Sequence, residues 1–464
     1  MYHIAMMFSK YFFYIFIVLF LINSTFYISL ERNYLSGSKK RTQRAQFMLI
    51  LMNLLIAFMV FFMAEPENFM KITKDFAVVG IGIICVKMFF PLVYKKSCPL
   101  MLNIVLFLIS IGLIFLYRIN PDLAKAQSIH ALLGFVIILA LPLLFRFIPM
   151  LDKLTWVYFG CGLFLVLLPT FLNNASSYGG NNWVELGPIT FQPSEFVKFF
   201  YVFYLASLFN SKFDFKKLVI SVVTMGIFVL VLVMQNDFGG ALIFFMTYMT
   251  LLFVRTGSLT LMALGFGGVS VFAFIAYQLV YHIQVRVSIW QNPWLDPYGT
   301  GYQIVQSLIS ISSYAPFGSG LTNGYPSIIP LVESDFIFSG IAEEFGIIYA
   351  LLIIGVYVIF FYRGVHIALR SKNFFHSYLA VGFTSLLAFQ SFVIIGGVTK
   401  LIPLTGVTLP FICYGGTSLV SSILMFGIIQ LLFSYSNHSP KVKEIVNSYD
   451  EDYNFNEEMG ESYE

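Results

Sequence analysis

The chain has 464 residues, 58% of them hydrophobic, 18% aromatic and only 11% charged, a composition that no water-soluble fold of this length sustains. Its net charge of +4 is small and lies in short basic clusters, which excludes nucleic acid as a partner and reads as a set of membrane topology signals. Cys85, Cys98, Cys161 and Cys413 lie in or beside apolar runs without metal-ligand spacing, so neither a disulfide framework nor a zinc site is implied.

About thirteen apolar stretches are long enough to cross a hydrocarbon layer about 30 Å thick as helices. In chain order they are 11–30, 47–64, 76–94, 100–117, 128–148, 154–172, 194–209, 217–234, 238–254, 258–282, 336–361, 376–397 and 408–433. The first has no small-residue cleavage site and reads as a retained helix, not a signal peptide.

The loops between these spans alternate in basic content. Arg32, Lys39, Lys40, Arg41 and Arg44 share a side with Lys95/Lys96, Arg146/Lys153, Lys212/Lys216/Lys217, Arg255, Arg363/Arg370/Lys372 and Lys441/Lys443. By the positive-inside rule that side is cytoplasmic, which places the N-terminus outside and the acidic tail, 437–464, inside. The tail's composition reads as disordered. The two long connections, 173–193 and 283–335, then lie outside. The second carries Trp290, Trp294 and several prolines and glycines, and its aromatics argue for a folded, functional loop.

Ten further charged residues near the spans map to the external half or the loops above it. They are Arg118, Lys125, Glu195, Lys198, Asp237, Arg286, Asp335, Glu343, Glu344 and Lys400. Glu195 and Lys198 are three apart on a helix that Pro193 opens, so they share a face, either as an internal ion pair or as the wall of a cavity for an anionic substrate. Asp335, or Ser334 beside it, is a candidate cap for the following helix. Glu343 and Glu344 fall inside the predicted 336–361 span, where an ionised acid costs about 2.5 kcal/mol or more unless paired or wetted. They require a basic partner or a water-filled cavity. Asp237 stands at a helix start, Gly239 and Gly240 permit close helix approach, and Lys400 is an external cation followed by Pro403.

Five motifs carry a resemblance to a known family. They are "NNWVELGPITFQPSEFVK" (181–198), "QNDFGGAL" (235–242), "RVSIWQNPWLDPYGTGYQIVQS" (286–307), "SDFIFSGIAEEFG" (334–346) and "LIPLTGVTLPFICYGGTS" (401–418). In their order and context the chain resembles the SEDS family (shape, elongation, division and sporulation) of the FtsW, RodA and SpoVE type. The resemblance implies an all-α polytopic membrane protein with a ten-helix core at 98–436, preceded by three extra transmembrane helices in 1–97. It also implies a glycosyltransferase of the bacterial cytoplasmic membrane that polymerises lipid II into peptidoglycan at the outer face. The implied partners are a class B penicillin-binding protein and other divisome or elongasome membrane proteins.

The family's essential acid maps onto Asp335, a general-base candidate whose alternative role is to bind a divalent cation such as Mg²⁺ or Mn²⁺. Arg286, Lys198 and Lys400 are candidates for the diphosphate, with Arg the better bidentate donor. Trp183, Gln192, Glu195 and Asp237, within the matched motifs, are assigned to substrate binding, and Glu343 and Glu344 to orienting the cations. Three departures from the family pattern stand out: Asn182 where a basic residue is usual, Cys413 where Ser is usual, and "SSYAPFGSG" (312–320) where a glycine-rich run is usual. A lipid II flippase and a non-catalytic scaffold are the competing readings. The external clustering of the charges favours the enzyme over a transporter, which needs polar groups through the full depth.

Overall fold

The computed structural model describes residues 2–32, 36–145, 151–172, 183–186 and 189–436. The acidic tail, Asn182 and the rest of 173–182 lie outside those residues. Three long helices come first: α1 (Tyr2–Arg32), α2 (Ser36–Ala64) and α3 (Phe69–Val93). Then follow α4 (Pro99–Ile119), α5 (Pro121–Phe145), α6 (Thr155–Leu172) and a small hairpin, β1 (Val184–Leu186) with β2 (Ile189–Phe191). The hairpin is antiparallel, with Val184 opposite Phe191, and leads directly into α7 (Pro193–Asn210). Helices α8 (Phe215–Met234), α9 (Phe238–Thr256) and α10 (Leu259–Leu279) complete the first part of the bundle.

Twelve of the helices among the described residues are long and apolar enough to cross a membrane. The chain is a multi-pass membrane protein. Helix α7 lies outside that set because Glu195 and Lys198 occupy its first turns, yet thirteen of its eighteen residues are buried in the bundle.

Local chemistry sets the helix ends. Proline occupies the first turn of α4 and α7, where a missing N–H leaves nothing unpaired. Asp214, Asp237 and Ser258 cap α8, α9 and α10 by accepting from the backbone amides of Lys217, Gly240 and Leu261. Helix α4 is apolar all round, and every residue from Leu100 to Leu116 is buried, which makes it the axis of the core. Helix α10 has no buried residue and presents its apolar surface outward.

The expected long loop 283–335 is folded. It contains α11 (Tyr281–Gln291), α12 (Tyr302–Ser313) and short 3-10 turns at Pro293–Leu295 and Pro326–Ile328.

One predicted span is corrected. Residues 336–361 are not one helix but two, α13 (Ile337–Phe345) and α14 (Ile347–Arg370), broken at Gly346 with φ 87° and ψ 160°. A side chain at Gly346 would place its Cβ 2.3 Å from the Pro316 carbonyl oxygen, so the break and the close approach of the loop have one cause. Glu343 and Glu344 therefore sit in a nine-residue half-helix and not inside a continuous span. The predicted 408–433 span is likewise shorter, because α15 (Phe374–Val398) is followed by non-helical chain until α16 (Gly416–Ser436). That irregular stretch enters the bundle against α4, where a Cβ on Gly112 would lie 2.5 Å from the Ile412 carbonyl oxygen.

Candidate active site

Helix α11 places Arg286 and Trp290 one turn apart on one face. Beyond it, the Asp296 carboxylate accepts from the backbone N–H of Thr300 at 2.7 Å and from its hydroxyl at 2.9 Å, a turn that brings Thr300 and then Gln303 under α11. Together with Asp335 and Lys400 these four residues line a cavity of about 240 Å³. Three of the charged residues singled out from the sequence, Asp335, Arg286 and Lys400, thus share one cavity.

Two strained turns hold the opposing charges. Leu331 and Lys400 both have positive φ, 58° and 62°, a conformation that costs a non-glycine residue about 1–3 kcal/mol and persists only where its surroundings enforce it. The Leu331 carbonyl accepts from the Asp335 amide at 3.0 Å, and Glu333 offers its carbonyl to the Tyr414 amide at 2.8 Å. The Lys400 amide donates to Gly397 at 3.2 Å, and its carbonyl accepts from the Trp290 indole at 3.2 Å. Arg286 donates from Nη1 to the Leu404 carbonyl at 2.6 Å and lies over the Phe238 ring at 5.6 Å. The chain between α15 and α16 is thereby pinned to α11 at two points and passes Asp335 at Gly406.

Burial pushes the Asp335 carboxyl above its ordinary value of 3.8, and Glu333 adds to the rise. A Ser334 hydrogen bond and the charge of Arg286 pull it back down. Burial lowers the Arg286 guanidinium, against the pull of Asp237 and Asp335. Among the described residues no close ion pair joins Asp335 to either cation; Asp335 and Arg286 act on each other across the shared space.

The remaining predicted residues lie elsewhere. Lys198 donates to Glu195 at 2.7 Å and to Gln390 at 2.9 Å, and the second Glu195 oxygen accepts from Ser421 at 2.6 Å. This network is buried between α7, α15 and α16 and contributes nothing to the lining of the cavity. Its geometry is that of the internal ion pair. It does reach the same irregular segment, because Gln390 also donates to the Thr408 carbonyl at 2.9 Å. Asp237 caps α9 and accepts from Ser194, and its charge is felt at Arg286. Gln192 stands at the N-cap of α7 and Trp183 immediately before β1. Glu344 is fully buried against Arg118 at 2.9 Å, and Glu343 accepts from the Tyr325 amide at 2.6 Å. Both hold the 322–325 loop, Glu343 directly and Glu344 through Arg118, which also donates to the Gly324 carbonyl at 2.9 Å. Cys413 is buried with its sulfur accepting from the Leu409 amide, a packing role.

Trp290, Thr300 and Gln303 were not assigned from the sequence. The i,i+4 spacing of Arg286 and Trp290 was the available signal for the first; the other two depend on the Asp296 turn.

The comparisons agree with this architecture. The FtsW/RodA/SpoVE family model, described as cell cycle protein, matches residues 98–438. The chain belongs to the SEDS family. The peptidoglycan glycosyltransferase RodA of Mycobacterium tuberculosis is 31% identical over 369 residues, covering 71% of this chain and 76% of that protein. Stage V sporulation protein E of Bacillus subtilis is 32% identical over 374 residues, 74% of this chain and 99% of that one. Among solved structures, a member of a peptidoglycan synthase complex that coordinates polymerization and crosslinking superposes with a TM-score of 0.64 at 24% identity, covering 74% of this chain and 99% of its own. Thermus thermophilus RodA gives 0.53 at 22% identity, with 74% and 98% covered. At these identities the solved structures establish the fold alone. Relatives of the RodA and FtsW kinds at this similarity are named as peptidoglycan glycosyltransferases, the FtsW of Geobacter sulfurreducens as a probable one.

Proposed function

We propose that this SEDS protein polymerises lipid II into glycan strands at the outer face of the bacterial cytoplasmic membrane, with Asp335 as general base. The observation that carries the reading is the cavity that gathers one carboxylate and two cations without pairing them. Chain growth joins the 4-hydroxyl oxygen of one sugar to the anomeric carbon of another and breaks the bond to undecaprenyl pyrophosphate. The acceptor proton must leave and the departing diphosphate gains charge. Asp335, lifted by burial, accepts the proton. Arg286 and Lys400 stabilise the diphosphate where its charge develops. The buried Lys198–Glu195 pair acts indirectly, by bracing the segment that carries Lys400.

Among the described residues no group of three or more His, Cys, Asp or Glu could hold a metal ion, and Arg286 and Lys400 share the cavity with the single carboxylate, so a divalent cation there would be held mainly by the substrate diphosphate. In that alternative role Asp335 would supply one oxygen instead of acting as the base, since Mg²⁺ is commonly held by one or two carboxylates together with substrate phosphates. Bound there, Mg²⁺ or Mn²⁺ would neutralise diphosphate charge. With the basic loops cytoplasmic, the cavity opens outside, the N-terminus is external and the C-terminus internal. Residues 98–436 form the catalytic core and 1–97 an accessory unit. A class B penicillin-binding protein is the expected partner, a reading supported by the complex to which the fold is similar.

The test is polymerisation of labelled lipid II by the purified full-length protein with its penicillin-binding partner and Mg²⁺. Glycan strands are the expected product. Flipping of lipid II in proteoliposomes without strand formation would transfer the cavity to transport.

A further inference from the structure

We propose that Lys10 and Tyr14, on the first helix of the accessory unit, are positioning residues for Asp335 that act through α13, an inference that rests on the enzyme reading above. Helix α13 has nine residues, about 12 Å along its axis. Asp335 precedes its first residue by two positions. Its far end stops at Gly346 and leaves carbonyls without helical donors.

Those carbonyls are met from two directions. The Ser319 and Gly320 amides donate to Glu343 and Glu344 at 3.0 and 2.8 Å. From α1, the Tyr14 hydroxyl donates to the Phe345 carbonyl at 2.6 Å, while the Lys10 ammonium donates at 2.8 Å to the carbonyl of Gly318, the loop residue just before the two amides that meet α13. A cation at a helix C-terminus complements the helix dipole. Lys10 is only 8% exposed and makes no ion pair among the described residues. Burying an ammonium merely to fill space is costly where an apolar side chain would serve. Its placement instead fixes the loop that packs on the end of α13, at the carbonyl of Gly318.

The other end of α13 faces the chemistry. Ser339, in its first turn, shares a 2.7 Å hydrogen bond with Ser307, which also donates to the Val398 carbonyl at 2.9 Å, two residues before Lys400. A tilt of α13 therefore disturbs both Asp335 and the Lys400 turn. Neither Lys10 nor Tyr14 touches the cavity. Helix α1 is itself held along its length, by Phe20 stacked on Phe107 with ring centroids 4.2 Å apart and by Glu31 against Arg363 at 2.5 Å. All of α1 lies outside the stretch matched by the family model, so the clamp is an addition to the shared ten-helix core.

The experiment uses the full-length protein with its partner. Steady-state kcat and KM for lipid II, and amide exchange over 316–346, are compared for wild type, Lys10→Met/Tyr14→Phe, Lys10→Arg and Ile22→Ala. The double variant should lose about tenfold in kcat with KM nearly unchanged, the signature of a misplaced reacting group, and its Ser319 and Gly320 amides should exchange faster. Lys10→Arg keeps the donor and should retain most of the activity. Ile22→Ala changes an exposed position of α1 that takes no part in holding the helix or the loop and should leave kcat unchanged. Normal kcat in the double variant, or an equal loss in Ile22→Ala, would overturn the clamp. If wild type makes no glycan strands, the enzyme reading fails instead; unchanged exchange in the double variant then overturns the clamp, and faster exchange upholds it.

Discussion

The indole nitrogen of Trp290 donates to the backbone carbonyl of Lys400 at 3.2 Å, so a residue of the folded loop sets the position of a cation carried by the chain after α15. Trp290→Phe keeps the ring and removes the donor. A hydrogen bond of about 0.5–1.5 kcal/mol is lost, and kcat for lipid II polymerisation should fall by about two- to tenfold while the unfolding temperature stays near that of wild type. An unchanged kcat would show that the Lys400 turn is held without Trp290.

The pH profile follows from the surroundings of Asp335. A general base works ionised, so the rate rises with pH through its folded value, and burial moves that value above the ordinary 3.8. The acid limb of kcat/KM should accordingly lie above the usual aspartate range. Arg286 pulls the value down, so Arg286→Gln should move the limb to higher pH as well as lowering the maximum. A limb that stays in place in Arg286→Gln would separate the two residues.

Arg118 and Glu344 make a stability prediction. The Glu344 side chain is fully buried and Arg118 is 25% exposed. Arg118→Leu strands a buried carboxylate and should destabilise the protein by about 3–5 kcal/mol, whereas Arg118→Leu/Glu344→Leu should recover most of the loss. Thermal unfolding in detergent distinguishes the two; equal melting of single and double variants would contradict the pairing.

Much of the site was legible because charge is rare in this chain. Asp335, Arg286 and Lys400 stood out as charges away from the cytoplasmic clusters, and the structure collects them in one cavity. Lys198 and Glu195 stood out equally, but spacing alone does not distinguish an inward-facing pair from a cavity wall. The decision came from Gln390 and Ser421, on helices far along the chain. The break at Gly346 was hidden because apolar residues continue on both sides of it, and only the contact with Pro316 shows why the helix must stop. The link from Lys10 to Gly318 crosses 308 residues and leaves no periodic signal in the sequence.

Replacing Asp335 by Asn tests the central claim most directly, since it preserves size and removes the base. With wild type active on lipid II beside its partner, Asp335→Asn should keep the fold and the membrane location while polymerisation falls by about 10²–10⁴-fold. Asp335→Asn that still makes glycan strands at a rate within a few-fold of wild type would contradict the assignment.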